Sequence, residues 1–391
     1  MEALHAPLAA LDPAPFRLPP EMEQALSPAF CVFLDAVRHN VSAIQALCGG
    51  PERWRPHVKT TKIPEVWALL ARAGQARFKA ATTREAALLL QVLEREGVRG
   101  ADVLLAYPLL GPALERLGAI ARAHPDSQVS VLCESAQIAA AAPPELGLYV
   151  DLNPGMNRTG VPEGDTPSLR AIARAAGERL RGLHFYDGHL HQADRDERRR
   201  VAHAGYERLL ELRALVEAEG ARIRELVTSG TPSFPHALEF EPFDELADCV
   251  HRVSPGTVVF HDGRTEQDVP ELPLLPAAQV MARVVSHPAP GIATCDAGSK
   301  SIAAEAGDPC AFVLGRPGLV ARTPNEEHLP LEVRDGERPE RGEVLQLVPR
   351  HVCPTTNLAE EAVLIEDGRV LDVVPVAARA HELFAAGAPS R

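Results

Sequence analysis

The sequence predicts an α/β protein, a (β/α)8 barrel of the TIM type joined to a second, β-rich domain. Three observations carry this. Short apolar, strand-like runs recur at 54–59, 77–81, 102–106, 128–133, 147–152, 181–186, 224–229 and 249–253. Helical patterns separate most of them, most clearly at 63–73, 84–96, 111–123, 166–179 and 197–219. After about residue 267 the texture changes to short apolar runs without long helices between them.

In chain order, residues 1–27 are Pro-rich and read as an irregular arm. Ala29–Leu34 is a strand candidate outside the count of eight, and Ala36–Leu47 has helical spacing. The eight strand–helix units that follow occupy roughly 230 residues, close to the size usual for such a barrel. A doubly wound open sheet is the alternative, because periodicity does not show closure. In the helix at 197–219, Val201, Ala204, Leu209, Leu212 and Leu215/Val216 form an apolar stripe. In the second domain Val280–Val285, Ile292–Cys295, Ala311–Leu314, Val344–Val348 and Val363–Ile365 are strand candidates. Glu366-Asp367-Gly368 before Val370–Val374 signals a hairpin, and a short helix near 377–386 closes the chain.

Composition narrows the function. An apolar fraction of 46% supplies a sizeable core, and a net charge of −13 argues against nucleic acid or an anionic membrane as a main partner. Aromatic residues at 4% disfavour a base-stacking surface. The cysteines at 31, 48, 133, 249, 295, 310 and 353 are odd in number and lack framework spacing. With no signal-peptide pattern and no apolar run of membrane-spanning length, the expected compartment is the cytoplasm.

Six stretches carry chemistry. In Trp54-Arg55-Pro56-His57-Val58-Lys59-Thr60-Thr61-Lys62 an apolar run ends in a lysine with cationic neighbours. A lysine attacks a carbonyl only when deprotonated, and cations or burial lower its pKa, so Lys59 suits a Schiff base. A solvated basic loop would read the same way. Asp151–Gly160 after the fifth strand supplies turn glycines, amides and the Arg158 guanidinium, suited to an anion or a heteroaromatic nitrogen. Thr228–Ser233 and Ser254–Thr257 follow late strands, where glycine-freed N–H groups and hydroxyls cradle phosphate, although each is also an ordinary turn. Tyr186-Asp187-Gly188-His189-Leu190-His191 ends the sixth strand, with two histidines on one face of an extended segment as bases or ligands. Pro349–Pro354 ends a strand of the second domain, where His351 and Cys353 share a face and form a pair suited to Zn²⁺. Two ligands would leave positions open for water or substrate.

As a set these stretches resemble the D-threonine aldolase and D-serine dehydratase family. R-P-H-x-K-T at 55–60, G-M-N-R-T-G at 155–160, Y-D-G-H at 186–189 and S-P-G-T at 254–257 carry the likeness. C-D-A-G-S-K at 295–300, E-E-H at 326–328 and H-V-C-P-T at 351–355 continue it in order over almost the whole chain. The resemblance implies an alanine racemase-like, fold type III enzyme using pyridoxal 5′-phosphate (PLP), whose first strand joins the β domain. The implied domains are a PLP-binding barrel at 36–266 and a β-rich domain at 1–35 plus 267–391 carrying a metal site. Lys59 would be the Schiff-base lysine, and Arg158 would face the pyridine nitrogen. Tyr186, Ser229, Gly230, Thr231, Gly256 and Thr257 would complete the cofactor site, the last five at the phosphate. His351 and Cys353 would bind a divalent metal, Zn²⁺ or Mn²⁺, that contacts the substrate β-hydroxyl. His191, or else His189, would be the base.

Cys353 stands where aldolase members often have Asp and resembles the zinc-dependent dehydratases. Phe78–Thr82 and Cys353–Leu358 look more like the aldolase branch. The expected activity is therefore metal-dependent lyase action on D-β-hydroxy-α-amino acids, by retro-aldol cleavage to glycine and an aldehyde. D-Serine or 3-hydroxy-D-aspartate dehydration is the alternative, followed by a racemase or a PLP carrier on the same fold. The resemblance also implies a homodimer with a small amino-acid substrate.

Overall fold

The computed structural model describes residues 8–192 and 194–383. In chain order its strands are β1 (Ala29–Phe33), β2 (Arg77–Ala80), β3 (Asp102–Pro108), β4 (Gln128–Cys133), β5 (Gly147–Asn153) and β6 (Val161–Pro162). Next come β7 (Leu180–Phe185), β8 (Glu225–Thr228), β9 (Val250–Val253), β10 (Ala278–Ala289), β11 (Ile292–Cys295) and β12 (Ala311–Val313). The last are β13 (Leu319–Ala321), β14 (Leu329–Val333), β15 (Val344–Pro349), β16 (Glu361–Glu366) and β17 (Arg369–Pro375). The chain forms two compact units. Of the described residues, the first holds Gln45–Lys59, Trp67–Gly256 and 380–383, and the second holds 8–44, Thr60–Val66 and Thr257–Arg379.

In the first unit β2, β3, β4, β5, β7, β8 and β9 pair in that order, all parallel. Residues 54–58 bridge the two edges of this path. Arg55 N–H donates to the Val253 carbonyl (2.9 Å), Val58 N–H to the Lys79 carbonyl (2.8 Å) and Lys79 N–H to the Pro56 carbonyl (2.9 Å). The segment, first in chain order, brings the staves of a TIM-like barrel to eight and removes the open-sheet alternative. Staves such as Val103-Leu104-Leu105 are buried on both faces and read as continuous apolar runs, as parallel strands do.

The connecting helices begin where a side-chain oxygen satisfies a free N–H. Thr82 accepts from Glu85 N–H, Asp165 from Ser168 N–H and Asp194 from Glu197 N–H. The predicted helix at 166–179 ends its α-helical part at Ala176, because Gly177 turns to φ +55°. The helix predicted at 197–219 spans Arg195–Glu217, and its buried stripe is Ala202, Tyr206, Leu209, Leu212 and Val216. Ala204, expected in that stripe, is exposed, since Tyr206 and not Val201 sets the inward face. Two short helices of this unit, Ala136–Ala141 and Phe234–Leu238, have no sequence counterpart above.

The barrel interior holds charge as well as hydrocarbon. Arg55 gives Nε and Nη2 to the two oxygens of Glu225 (both 2.8 Å) and Nη1 to Asp102 Oδ1 (3.1 Å). Tyr149 donates to Glu225 Oε2 (2.7 Å), while Arg252 pairs with Glu225 (3.1 Å) and Arg181 with Asp102 (3.2 Å). Leu104, Leu132, Tyr149 and Val227 pack as an apolar cluster beside these ions.

The second unit is a nine-stranded sheet ordered β11-β14-β13-β12-β15-β10-β1-β16-β17. The long β10 pairs with both β15 and β11, so six of these strands close on themselves. β1 lies between β10 and β16, as the resemblance implied for the first strand. The predicted hairpin is present: Glu366 faces Arg369 across Asp367 (φ +48°) and Gly368 (φ +69°), the conformation of a two-residue type I′ turn. β13 and β14 were not expected. The arm is anchored by Phe16, whose ring meets Phe33 edge-on at 5.6 Å. Of the helix expected near 377–386, residues 377–383 are not helical and the remainder lies outside the described residues. The Val376 and Ala378 N–H groups instead donate to the Glu360 and Lys62 carbonyls.

Candidate active site

The predicted cofactor residues of the first unit all stand at the C-terminal ends of its staves. Lys59 follows stave 54–58, Arg158 follows β5, Tyr186 follows β7, Ser229–Thr231 follow β8 and Gly256 follows β9. Lys59 is partly buried, and its N–H lies 3.4 Å from His57 Nδ1. Burial, then the Lys59 and Lys79 cations, hold the His57 imidazole well below its ordinary pKa.

The Arg158 loop is self-braced. Asn153 Oδ1 accepts from Gly155 N–H (3.1 Å) and Asn157 N–H (2.9 Å), and Asn157 takes φ +56°. This turns Arg158 outward, where its guanidinium lies 4.4 Å from the centre of the Tyr186 ring. Among the described residues Arg158 has no carboxylate partner. A cavity of about 430 Å³ opens beside it, bordered by Glu134, Asn153, Asn157 and Asp165.

In the loop expected to hold the phosphate, Ser229 adopts φ +72°, unusual for a residue with a side chain. Its hydroxyl meets Thr228 Oγ1 (2.9 Å) and Tyr206 Oη (3.2 Å). Gly256 is required by space, because a Cβ there would lie 2.3 Å from the His57 carbonyl oxygen. Gly256→Ala should therefore push the loop off the first stave and weaken PLP binding by about tenfold or more, one lost hydrogen bond's worth at least. An absorbance titration of the cofactor-free chain with PLP would measure this, and an unchanged Kd would contradict it. Thr257, the next residue, belongs to the second unit and lies 3.4 Å from Cys353 Sγ.

His189 and His191 are not on an extended segment. A turn closed by Leu190 N–H to the Asp187 carbonyl (3.1 Å) separates them. His191 is exposed. His189 is half-buried, its Nδ1 has no partner among the described residues, and its Nε2 lies 3.9 Å from where a Gly155 Cβ would be. The turn is held by Asp187, which accepts from Tyr206 Oη (2.7 Å), Ser233 Oγ and the Gly230 backbone. Burial raises the Asp187 carboxyl against these bonds. The Gly230 backbone is thus engaged by Asp187, a partner the motif did not reveal.

In the second unit β15 stops at Pro349. His351 is the N-cap of the helix Val352–Leu358 and Cys353 lies in its first turn. The two side chains hydrogen-bond, but through the start of a helix and not across one face of a strand. Glu305 takes His351 Nδ1, leaving Nε2 as the remaining ring nitrogen. Burial lowers the imidazole, yet Cys353, Asp262 and Glu305 outweigh it and raise it to about 9. Thr60, the residue after Lys59, places its hydroxyl 3.1 Å from Cys353 Sγ. Among the described residues no group of three or more His, Cys, Asp or Glu is placed to hold a metal ion. The pair nevertheless fits an open site: a nitrogen and a sulfur ligand, with a carboxylate orienting the imidazole from behind.

The residues expected to hold PLP likewise fit that group. A guanidinium without a carboxylate partner suits an unprotonated ring nitrogen that accepts a hydrogen bond, and the two strained or space-limited loops suit an anionic phosphate. Sequence reasoning missed Asp187, Tyr206, Glu305 and Asp262. Only Asp187 stood inside a recognised motif.

Comparison with known proteins agrees. The model of the alanine racemase N-terminal domain matches residues 32–262, and one described as "Putative serine dehydratase domain" matches 277–365. A D-threonine aldolase of an Arthrobacter species is 31% identical over 374 residues, 90% of this chain and 92% of the relative. A D-threo-3-hydroxyaspartate dehydratase of a Delftia species is 28% identical, covering 84% of this chain and 91% of the relative. The crystal structure of D-threonine aldolase from Filomicrobium marinum has a TM-score of 0.79 at 27% identity, covering 93% of this chain and 99% of that one. With motifs, fold and relatives in agreement, the chain belongs to the D-threonine aldolase and D-serine dehydratase family of PLP-dependent lyases on the alanine racemase fold.

Proposed function

We propose that the protein is a PLP- and divalent-metal-dependent lyase that cleaves D-β-hydroxy-α-amino acids to glycine and an aldehyde. The observation that carries this is the 31% identity to a D-threonine aldolase over 90% of the chain. The stave-end lysine and the Arg158 guanidinium support it. PLP, when bound, supplies an electron sink for negative charge at the substrate Cα. In this reading Lys59 carries the cofactor, and Arg158 faces its ring nitrogen and keeps it from needing a carboxylate. Tyr186 lines the site beneath the guanidinium. Ser229, Gly230, Thr231, Gly256 and Thr257 orient the phosphate.

His351 and Cys353 hold the metal, Zn²⁺ or Mn²⁺, which lowers the pKa of the substrate β-hydroxyl. The base that takes the hydroxyl proton comes from the His189–His191 turn. The unpartnered, half-buried Nδ1 of His189 favours it over the exposed His191. We propose a homodimer, as the family resemblance implies. One observation favours dehydration to a 2-oxo acid and ammonia instead: Cys353 at the metal position, as in the zinc-dependent dehydratases.

The test is to incubate holoenzyme and Zn²⁺ or Mn²⁺ with D-threonine, D-serine, 3-hydroxy-D-aspartate and their L-forms. Glycine and aldehyde from the D-forms alone are expected; ammonia and 2-oxo acid without glycine would make it a dehydratase. Chelator, or His351→Ala, should cut turnover by on the order of 10²-fold or more while the bound cofactor keeps its visible absorbance. Undiminished turnover without metal would point to a racemase-type mechanism.

A further inference from the structure

One layer inside the strand ends of the barrel, polar groups from several staves form a single hydrogen-bonded chain. Thr159 Oγ1 donates to Asp151 Oδ2 (2.7 Å), and Asp151 Oδ1 accepts from His184 Nδ1 (2.7 Å). His184 Nε2 meets Lys79 Nζ (3.3 Å), Lys79 Nζ donates to Ser254 Oγ (2.5 Å), and Ser254 Oγ donates to the Ser229 carbonyl (3.1 Å). Asp151, His184, Lys79 and Ser254 are all buried. The Asp151 carboxylate only accepts, so His184 carries its proton on Nδ1 and leaves Nε2 to accept from Lys79. One end of the chain is Thr159, next to Arg158; the other is Ser229, in the loop read above as a phosphate cradle. Lys79 is the middle link.

Its surroundings are unusual for an amine. Lys79 faces the Lys59, Arg158 and Arg55 cations, the Asp151 carboxylate, the His57 and His184 imidazoles, and the Tyr186 ring at 5.5 Å. Burial first, and then those cations, hold its amine well below the ordinary lysine range.

We propose that Lys79 is a positioning residue for PLP. Through His184 and Asp151 on one side and Ser254 on the other, it ties the Arg158 loop to the Ser229 loop. The proposal rests on the reading that Lys59 carries PLP.

The test uses the full-length chain with cofactor removed, as wild type, Lys79→Met and Ser254→Ala. Two quantities are read: the Kd for PLP by absorbance titration, and the melting temperature of the cofactor-free chain. Lys79→Met should raise the Kd about tenfold or more, and Ser254→Ala, which cuts the same chain one link further on, should raise it as well. A lysine that merely supports the barrel would lower the melting temperature and leave the Kd unchanged, and that result overturns the proposal. The lysine that takes PLP is identified by borohydride reduction and mass spectrometry, which separates the four lysines at 59, 62, 79 and 300. Should Lys79→Met not fold, an unchanged Kd in Ser254→Ala overturns it. A wild-type chain that takes PLP on another lysine, or not at all, defeats the underlying reading instead.

Discussion

Lys59→Ala leaves a protein that borohydride no longer ties to PLP and whose turnover falls by about a thousandfold or more, because the covalent anchor and a nucleophile vanish together. In the wild type, borohydride should fix the cofactor to the peptide containing Lys59. The other three lysines have competing commitments. Lys62 is buried and gives Nζ to the Ala378 carbonyl (3.4 Å), and Lys79 is held by Ser254 and His184. Lys300 pairs on the surface with Glu326 (3.1 Å) and Glu327 (3.0 Å), which raises its pKa away from nucleophilicity. Label recovered on Lys62, Lys79 or Lys300 would defeat the assignment.

Glu225→Gln should cost about 3 kcal/mol of folding stability at neutral pH, since it strips one of two carboxylates from a buried Arg55 and leaves that charge with Asp102 alone. Burial alone would raise the Glu225 pKa; Arg55 and Arg252 outweigh it and hold it down at about 2, against an ordinary 4.5. A carboxyl depressed in the folded state contributes its stability above the unfolded value and loses it as pH falls toward the folded one. The gap between wild type and variant should therefore be full above about pH 4.5 and close as the pH drops toward about 2. Urea denaturation across that range measures it. A gap independent of pH would show that packing around Glu225, not its charge, is what matters.

The same residue shows where sequence reading ends. All eight staves are legible because short apolar runs recur between helical patterns, and each run falls on an observed stave. Glu225, Asp102 and Asp151 sit inside those runs as ordinary polar breaks. Nothing local says that their side chains point into a closed barrel toward Arg55 or His184, because that depends on register between staves far apart in the chain. The short helices at 136–141 and 234–238 have too few turns for periodicity to register. The site motifs were legible as residue sets and less so as geometry. His189 and His191 are parted by a turn, and His351 and Cys353 are brought together by a helix start, since spacing of two is read differently by each backbone.

The bridging of the first stave has a consequence for how the protein is made. Trp54 donates its indole N–H to the Pro255 carbonyl (3.0 Å), 201 positions later in the chain. A nascent chain thus presents the open flank of the 54–58 stave until β9 has been synthesised, and at about 5–20 residues per second that wait lasts on the order of 10–40 seconds. Unpaired strand flanks recruit other chains, so crowded, rapid expression should favour aggregation during this interval more than after release. The residue that would carry the cofactor follows the stave whose neighbours are completed last.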